Sequence, residues 1–400
     1  MRISTSMLNQ TAVNGILQDE STLSNTQSQL ASGKSVNTPA DNPVAAVQLL
    51  QLTNTSSQYG QYISNGQSAN TNLTLEEQAL SSSTTTLQSI RDLVVQANTG
   101  SNNATDLQNI ATQISALESQ LQGNANTQNA QGEYLFAGFS SGTQPFVRGS
   151  SGAMSYVGDS GARSVPLNGG TSVQTGDPGS AVFMNVPTGN GTFTTAAGAG
   201  NTGTGVVDTG SVTDASAWVP GQYTIKFTDA TDYTVTNASG TTVANGTYNA
   251  ASGGNVAFDG VEVGITGEPS VGDTFKVSSS GTQGVFDTLD NIVSALNNVG
   301  SSAAARAQLS STLGGSLQQI DQALNQVSTV TTNVASRISL ISSTGNALTS
   351  ATTTLTSQIS NLSDLDYAKA TSQYSQEYIA LQAAEQSYVA INQLSLFKYL

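Results

Sequence analysis

Two groups of acidic residues are the first candidates for chemistry in this chain. Asp364 and Asp366 lie beside Tyr367, and such a set could hold a metal ion or exchange protons. Residues two apart on a helix do not face each other, and no third ligand is evident nearby in the sequence. We therefore expect these residues to cap or join helices.

The second group lies in the stretch DGVEVGITGEPSVGD. Its carboxylates, which are Asp259, Glu262, Glu268 and Asp273, offer oxygen ligands of the type that calcium prefers. They are spread over a predicted hairpin, so we expect solvated turn residues. The glycine pair Gly253–Gly254 lacks the strand–GxGxxG–helix context of a dinucleotide fold. We expect no catalytic residue, no metal site and no cofactor.

Composition excludes several further classes of function. The chain has no histidine and no cysteine, so a Ser-His-Asp triad, an ordinary zinc site and disulfides are excluded. With a net charge of −15, it has no surplus cations to neutralise a nucleic acid. No apolar run approaches the roughly 18 residues of a membrane span. The first 20 residues hold one Arg and no apolar block, so we expect no cleavable secretory signal. We expect neither an enzyme nor a nucleic-acid or membrane partner.

Proline and glycine divide the chain into helical flanks and a different centre. Residues 138–284 hold six of the eight prolines and 28 of the 39 glycines. Because proline in a helix interior costs about 3 kcal/mol, the proline-free flanks permit long helices. Gly100 is expected to end the first long helix, and Asn103 to cap the next helix with Asp106 in its first turn.

Apolar residues recur with heptad spacing in both flanks. In the first flank they lie at Ala45, Leu52, Tyr59, Leu73, Leu80, Leu87 and Val94, and only Gly66 interrupts the series. In the second flank, apolar residues recur at alternating steps of four and three residues from Leu313 to Leu362. This register breaks across Ser363–Ala368, and a new register starts at Tyr367. Such narrow stripes predict long helices in a coiled coil, with a second layer beyond the break.

The first thirty residues carry a stripe that matches the last one. Between the first two helices, Gly33, Pro39, Asp41 and Pro43 indicate a short non-helical connector, in which Asp41 or Asn42 caps a helix that starts at Pro43. The outer faces are poor in charge, so burial against neighbouring subunits is expected. The predicted subunit-interface residues are Ile16, Leu23, Leu30, Tyr367, Tyr374, Leu381, Tyr388 and Ile391.

The centre has the period-two alternation of β-strands. The predicted strands are Tyr223–Phe227, Asp232–Thr236, Val256–Phe258, Val261–Ile265 and Thr274–Val277. Thr188–Gly210 is rich in Gly and Thr, so we expect a mobile loop. Trp218 and Tyr223 are aromatic residues that could stack on a sugar.

The predicted fold class is therefore α+β. The N- and C-terminal segments form a long α-helical coiled-coil rod, and a mainly β, Gly-rich domain is inserted between them. We expect residues 1–42 to pair with 364–400, residues 43–139 and 286–363 to form the long-helix rod domain, and residues 140–285 to form the inserted domain.

Seven stretches, in the same order along the chain, resemble the flagellin family of bacteria, and within it the hook–filament junction proteins. They are MRISTSML (1–8), LASGKSVNTPADNPVAA (30–46), LQSIRDLVVQANTG (87–100), GEYLFAGFSSGTQPF (132–146), RISLI (337–341), LSDLDYA (362–368) and SLFKYL (395–400). Any one of these is weak, but seven in the correct order are specific. The central β-region carries none of the resemblance.

The resemblance implies a structural subunit of the extracellular flagellum, secreted by the flagellar type III export apparatus and polymerising through its terminal helices. The implied partners are hook-associated protein 1, flagellin, other copies of the chain in a ring, and a cytoplasmic export chaperone. Two alternatives stay open at this point. One is a divergent flagellin, and the other is a surface adhesin or glycan-binding protein that acts through the β-insert.

Overall fold

The computed structural model describes residues 5–150 and 152–393, with side-chain surroundings for residues 6–150 and 152–390. The chain is 54% helical and 17% strand, which confirms the predicted α+β class. The helices are α1 (Thr5–Ser32), α2 (Pro43–Ala97), α3 (Ala104–Ala125), α4 (Val285–Asn297), α5 (Ala303–Ser363) and α6 (Tyr367–Gln393).

Fifteen short strands lie in the described part of the region between α3 and α4, together with one π-helical segment, Ser180–Met184. The strands are β1 (Phe146–Arg148), β2 (Met154–Tyr156), β3 (Ser164–Pro166), β4 (Ser172–Gln174), β5 (Val186–Pro187), β6 (Phe193–Ala197), β7 (Val206–Val207), β8 (Ser211–Val212), β9 (Gln222–Phe227), β10 (Asp232–Asn237), β11 (Thr242–Thr247), β12 (Gly254–Phe258), β13 (Val261–Thr266), β14 (Thr274–Ser279) and β15 (Thr282–Gln283).

The helix ends follow the predicted capping chemistry. The Gly33 backbone is left-handed, with φ 71°, and its N–H donates to Gln29 O just after α1. Asn42 caps α2, because its Oδ1 accepts from the Ala45 N–H at 3.1 Å. Asn103 and Asp106 form a reciprocal capping box at the start of α3. α2 ends at Ala97, three residues before Gly100.

The inserted strands form two main antiparallel sheets. One has the order β11-β10-β9-β14-β6, and in the other β12, β13 and β7 are neighbours while β8 also pairs with β13. All five predicted strands are present. The predicted mobile loop is wrong, because Thr188–Gly210 contains β6, which pairs with β14 along its whole length. Threonine suits a pleated strand, and the buried Phe193 fixes β6 in place, so the Thr-rich composition was misleading.

The chain divides into two compact units. The first unit is Met1–Ser64 with Ser343–Leu400, and the second is Asn65–Ser342. The divisions fall inside α2 and α5, so they mark changes in packing and not the ends of elements. The predicted domain limits at residues 42, 139, 285 and 363 stay a prediction.

The second unit contains two separate hydrophobic cores. The helical core draws on α2, α3, α4 and α5, with fully buried side chains such as Leu80, Ile114 and Leu289. It also takes in Phe136, Phe146, Phe183 and other side chains up to Val186. The β core is built from strands β6 to β14, with Ile225, Phe227 and Phe275 fully buried. Residues 140–187 therefore pack with the helices, although they lie within the predicted inserted domain.

Candidate functional site

The connector, residues 33–42, is fastened to the break between α5 and α6. The Ser35 N–H donates to Ser363 O at 2.7 Å, and the Leu365 N–H donates to Gly33 O at 3.0 Å. The Ser35 hydroxyl adds a bond to Leu362 O at 3.2 Å. These bonds satisfy backbone groups that the two interrupted helices leave without partners, so the two breaks support each other.

A tight turn inside the connector is held by Asp41. Its Oδ2 accepts from the N–H groups of Asn37 and Thr38 at 2.9 and 2.7 Å. The bond from the Thr38 amide to the charged carboxylate lowers the pKa of Asp41 below its ordinary value. Pro39 lies within this turn, and Pro43 is the first residue of α2. The prolines and the cap therefore give the connector a defined, non-helical course.

The helices α1 and α6 pack along each other, and we call them the terminal pair. The predicted interface residues Tyr374, Leu381 and Tyr388 of α6 are half-buried, and so are Ile16, Leu23 and Leu30 of α1. Tyr367 is 56% exposed at the start of α6, with its Oη close to Gly33. The side chain of Ile391 lies outside the described residues. Whether these side chains form a subunit interface stays a prediction.

The first unit buries very little. Among its described residues, five side chains are buried, and two of those are polar: Thr26, Ala45, Leu348, Ser363 and Ala370. Residues 43–64 and 343–363 also contain no charged residue. A unit of this length with so small a core has little hydrophobic stabilisation of its own.

Large apolar side chains face away from the packed faces of the same unit. The most exposed are Met7, Leu17, Val44, Val47, Leu50, Ile379 and Val389, at 53–68%. Val44, Val47 and Leu50 lie close together in the uncharged segment 43–64, and exposed apolar side chains grouped in this way indicate an interaction site. Heptad spacing did not reveal these residues, because it marks only the inward stripe. For Val44, Val47 and Leu50, the signal in the sequence was an apolar residue off the stripe in a segment without charged residues. Leu17 and Ile379 carry no such signal, because acidic residues lie in the same helical turn.

The acidic pair at the α5–α6 break has a structural role. Asp366 caps α6, since its Oδ1 accepts from the Lys369 N–H at 3.1 Å. Asp364 accepts from the Ser360 hydroxyl and forms a backbone bridge with Lys34. Within the described residues, no three acidic side chains are grouped so that they could hold a metal ion.

The carboxylates of the predicted hairpin also serve the fold, but not as solvated turn residues throughout. Asp273 is only 2% exposed and accepts from the N–H groups of Thr202, Gly203 and Ser270 at 2.8–3.0 Å. The expectation of a solvated residue is wrong at this position. Asp273 instead ties together two loops of the β core, because a charged carboxylate is a strong acceptor for backbone N–H groups.

The aromatic pair of the insert packs against its own domain. Tyr223 is 4% exposed, donates from its hydroxyl to Val219 O at 2.7 Å, and lies 5.0 Å from the ring of Phe258. Trp218 is half-buried between Phe193 and Tyr223, with ring centroids 5.6 Å apart in both pairs. Tyr223 therefore cannot stack on a sugar while the β core is intact.

Three family models match the chain. Residues 3–141 match the bacterial flagellin N-terminal helical region, and residues 317–400 match the flagellin C-terminal helical region. Residues 196–279, which contain most of the β core, match the D2-like domain of flagellar hook-associated protein 1. The helical flanks and the insert thus match models of different flagellar proteins.

Solved structures decide the family. FlgL from Xanthomonas campestris is 33% identical, with a TM-score of 0.69, over 75% of this chain and 98% of that one. The chain belongs to the FlgL family. The flagellar junction protein FlgL from Legionella pneumophila is 29% identical, with a TM-score of 0.72, over 79% of this chain and 99% of that one. The resemblance to junction proteins is therefore confirmed.

A curated relative agrees with membership of the FlgL family. Flagellar hook-associated protein 3 of Escherichia coli strain K12 is 32% identical over 186 residues. That match covers 46% of this chain and 58% of the relative, so the chain spans less than two thirds of the curated relative's length. None of the helices in the described part of this FlgL-family chain has the length and apolarity of a membrane span.

Proposed function

We propose that the chain is a structural subunit of the bacterial flagellum, which joins the hook to the flagellin filament. Membership of the FlgL family supports this role, and so does the match of the β core to a domain of hook-associated protein 1. The acidic residues that could have formed a catalytic or metal site serve the fold instead, since Asp366 caps α6 and Asp273 accepts hydrogen bonds from backbone N–H groups. The proposed role is mechanical, without a catalytic step.

The observation that carries the proposal is the small core of the first unit together with its exposed apolar residues. Complete burial of a side chain such as Ile379 is worth roughly 1.5–3 kcal/mol, and Ile379 is 65% exposed. Several such residues, covered together by neighbouring molecules, would stabilise an assembly, and around Val44, Val47 and Leu50 no charged residue would have to be desolvated. Assembly through the terminal helices therefore fits this surface better than a solitary role.

The partners follow from the same proposal. Copies of the chain would form a ring through their terminal helices, with hook-associated protein 1 on one side and flagellin on the other. The half-buried residues Leu381 and Tyr388 would hold α1 against α6, while Ile379 and Val389 would contact other molecules. Before assembly the chain would bind a cytoplasmic export chaperone, and the flagellar type III apparatus would secrete it to the cell exterior.

A pair of substitutions tests the proposed assembly surface in cells that lack their own copy of the gene. Ile379→Ser alters an exposed residue of α6, so it should leave the subunit's fold intact and weaken contacts with other molecules. Val219→Ser is the matched control, because Val219 is 58% exposed in the insert. We expect Ile379→Ser to reduce the number of filaments and release flagellin into the medium, and Val219→Ser to change neither. Normal filaments with Ile379→Ser would contradict the proposal.

The position of the chain on the flagellum can be imaged directly. Because the chain has no cysteine, Ser239→Cys in an exposed turn can be labelled with a single thiol-reactive dye. A short band next to the hook is the expected result. Labelling of the whole filament would instead indicate a flagellin, and labelling of the cell body an adhesin.

A further inference from the structure

Glu76 is a buried carboxyl group for which the proposed function has no use. It lies on α2 among the fully buried Leu73 and Leu80, and its own exposure is 0%. Its Oε1 accepts from the Asp177 N–H at 3.0 Å, whereas its Oε2 is buried with no hydrogen-bond partner. A charged carboxylate in such a place would have to be compensated by its surroundings.

The charged groups that face Glu76 are Asp177 and Arg337. Asp177 belongs to residues 175–179, the segment between β4 and the π-helical segment. Its carboxylate forms a bidentate ion pair with Arg337 of α5, at 2.8 and 3.0 Å, with side-chain exposures of 14% and 18%. We call Glu76, Asp177 and Arg337 the clasp, because they hold this segment to both α2 and α5.

Charge balance within the clasp depends on one proton. With Glu76 ionised, two carboxylates would share one guanidinium in a buried place. With Glu76 neutral, Asp177 and Arg337 balance each other. Burial, with a further contribution from the negative charge of Asp177, raises the pKa of Glu76 well above its ordinary value.

The surroundings of Oε2 are also suited to a proton donor. A Cβ built on Gly176 would lie 3.6 Å from Glu76 Oε2 and 3.4 Å from Leu135 O, so both oxygens border the same small space. A cavity of about 10 Å³ nearby is lined by Asn72, Leu135, Gly176 and Asp177, and also by Arg163, whose guanidinium is paired with Glu133 at 3.2 Å. That volume is about the minimum for one water molecule, but Glu76 itself does not line the cavity.

We propose that Glu76 is held as a neutral carboxylic acid that keeps the clasp closed, and that loss of its proton in more alkaline solution opens the clasp. An ionised Glu76 would leave an excess negative charge in the interior, and the segment 175–179 can relieve it by moving away from α2. The clasp is thus a proton-dependent fastening between two long helices and the segment that crosses them.

The sign of the pH dependence follows from the direction of the pKa shift. The stabilisation is fully present below the ordinary pKa of a Glu, 4.5, and is lost as pH rises toward the folded-state pKa. Within that window one proton is released on opening, so the equilibrium constant for opening rises about tenfold per pH unit. Above the folded-state pKa the effect levels off.

Glu76→Gln is the decisive variant, because glutamine has the same shape, keeps an oxygen for the Asp177 N–H and cannot ionise. Glu77→Gln is the matched control, since it makes the same substitution one residue further along α2, outside the clasp. We expect the folding equilibrium constant of the unmodified chain to fall relative to Glu76→Gln, by up to tenfold per pH unit above 4.5. Glu77→Gln should follow the pH profile of the unmodified chain. Parallel profiles for the unmodified chain and Glu76→Gln would overturn the proposal.

Amide hydrogen exchange of the unmodified chain gives a second test that does not depend on the variant. After correction for intrinsic base catalysis, opening at the Asp177 amide should increase with pH. The reference is the Thr204 amide, which donates to Glu268 O at 2.8 Å in the β core and should show no such trend. An Asp177 amide with pH-independent protection would equally refute a proton-dependent clasp.

Discussion

Removal of one aromatic ring should destabilise the helical core and leave the β core intact. Phe183 lies in the π-helical segment at 0% exposure. Its ring centroid is 5.6 Å from those of Phe136 and Phe146 and 6.3 Å from that of Phe286, which belongs to α4. The substitution Phe183→Ala therefore removes the centre of a cluster that fastens residues 132–187 to the helices.

The size of the effect can be estimated from burial. A fully buried Phe→Ala substitution costs about 3–5 kcal/mol, because apolar contacts are lost and a cavity is left behind. Three aromatic neighbours place Phe183 toward the upper end, since such pairs add about 0.5–1.5 kcal/mol beyond area. For a cooperative unit of about 150–250 residues, 3–5 kcal/mol lowers the unfolding midpoint by roughly 6–20 °C.

Two spectroscopic probes separate the cores. Far-UV circular dichroism follows mainly the helices. The chain has a single tryptophan, Trp218, which lies half-buried against Phe193 and Tyr223, so its fluorescence follows the β core. We expect Phe183→Ala to lower the midpoint seen by circular dichroism and to leave the fluorescence transition where it was.

Phe227→Ala is the matched control in the other core. Phe227 is also at 0% exposure, with rings of Tyr248 and Phe275 at 5.3 and 6.0 Å. It should shift the fluorescence transition and spare the helical signal. If either variant moved both transitions equally, the two cores would unfold as one unit. Residues 140–187 would then not be stabilised separately with the helical core.

Two further predictions concern the connector and the β core. Gly33→Ala should lower the free energy of unfolding by about 1–2 kcal/mol, because φ is 71° and the new Cβ would lie 2.9 Å from Tyr367 Oη. The same variant should speed hydrogen exchange of the Leu365 amide. Its control is Gly15→Ala, in the open interior of α1, which should raise the free energy of unfolding by about 0.5–1 kcal/mol. Asp273→Ala should destabilise the β core by at least about 2 kcal/mol, because three backbone N–H groups lose their acceptor. Unfolding followed by Trp218 fluorescence measures this loss, and a smaller loss would mean that water replaces the carboxylate.

Local chemistry made the helices predictable. Heptad spacing located the buried stripe of α2 at Leu73, Leu80, Leu87 and Val94, all 0% exposed. Capping preferences located Gly33 and Asn103. Both signals depend on residues close in sequence, so they need no knowledge of tertiary contacts.

The division of the insert was not predictable in the same way. Residues 140–187 and 193–279 share the same glycine-rich composition and short strands, yet they pack into different cores. Phe146 and Phe183 pack into the helical core because their rings contact Phe286 of α4, which lies more than a hundred residues later in the sequence. A contact between residues so far apart in sequence produces no periodic pattern of apolar residues in either segment, so the core that each segment joins could not be predicted.

The uneven distribution of buried side chains gives the two units different means of stabilisation. In the second unit, two cores of fully buried residues provide hydrophobic stabilisation within one molecule. In the first unit, the described residues bury mainly small or polar side chains, while Val47 and Ile379 stay exposed at 56% and 65%. Because hydrophobic stabilisation scales with the apolar area removed from water, most of what the first unit can gain must come from other molecules. Its stability should therefore depend on protein concentration or partners, whereas that of the second unit should not.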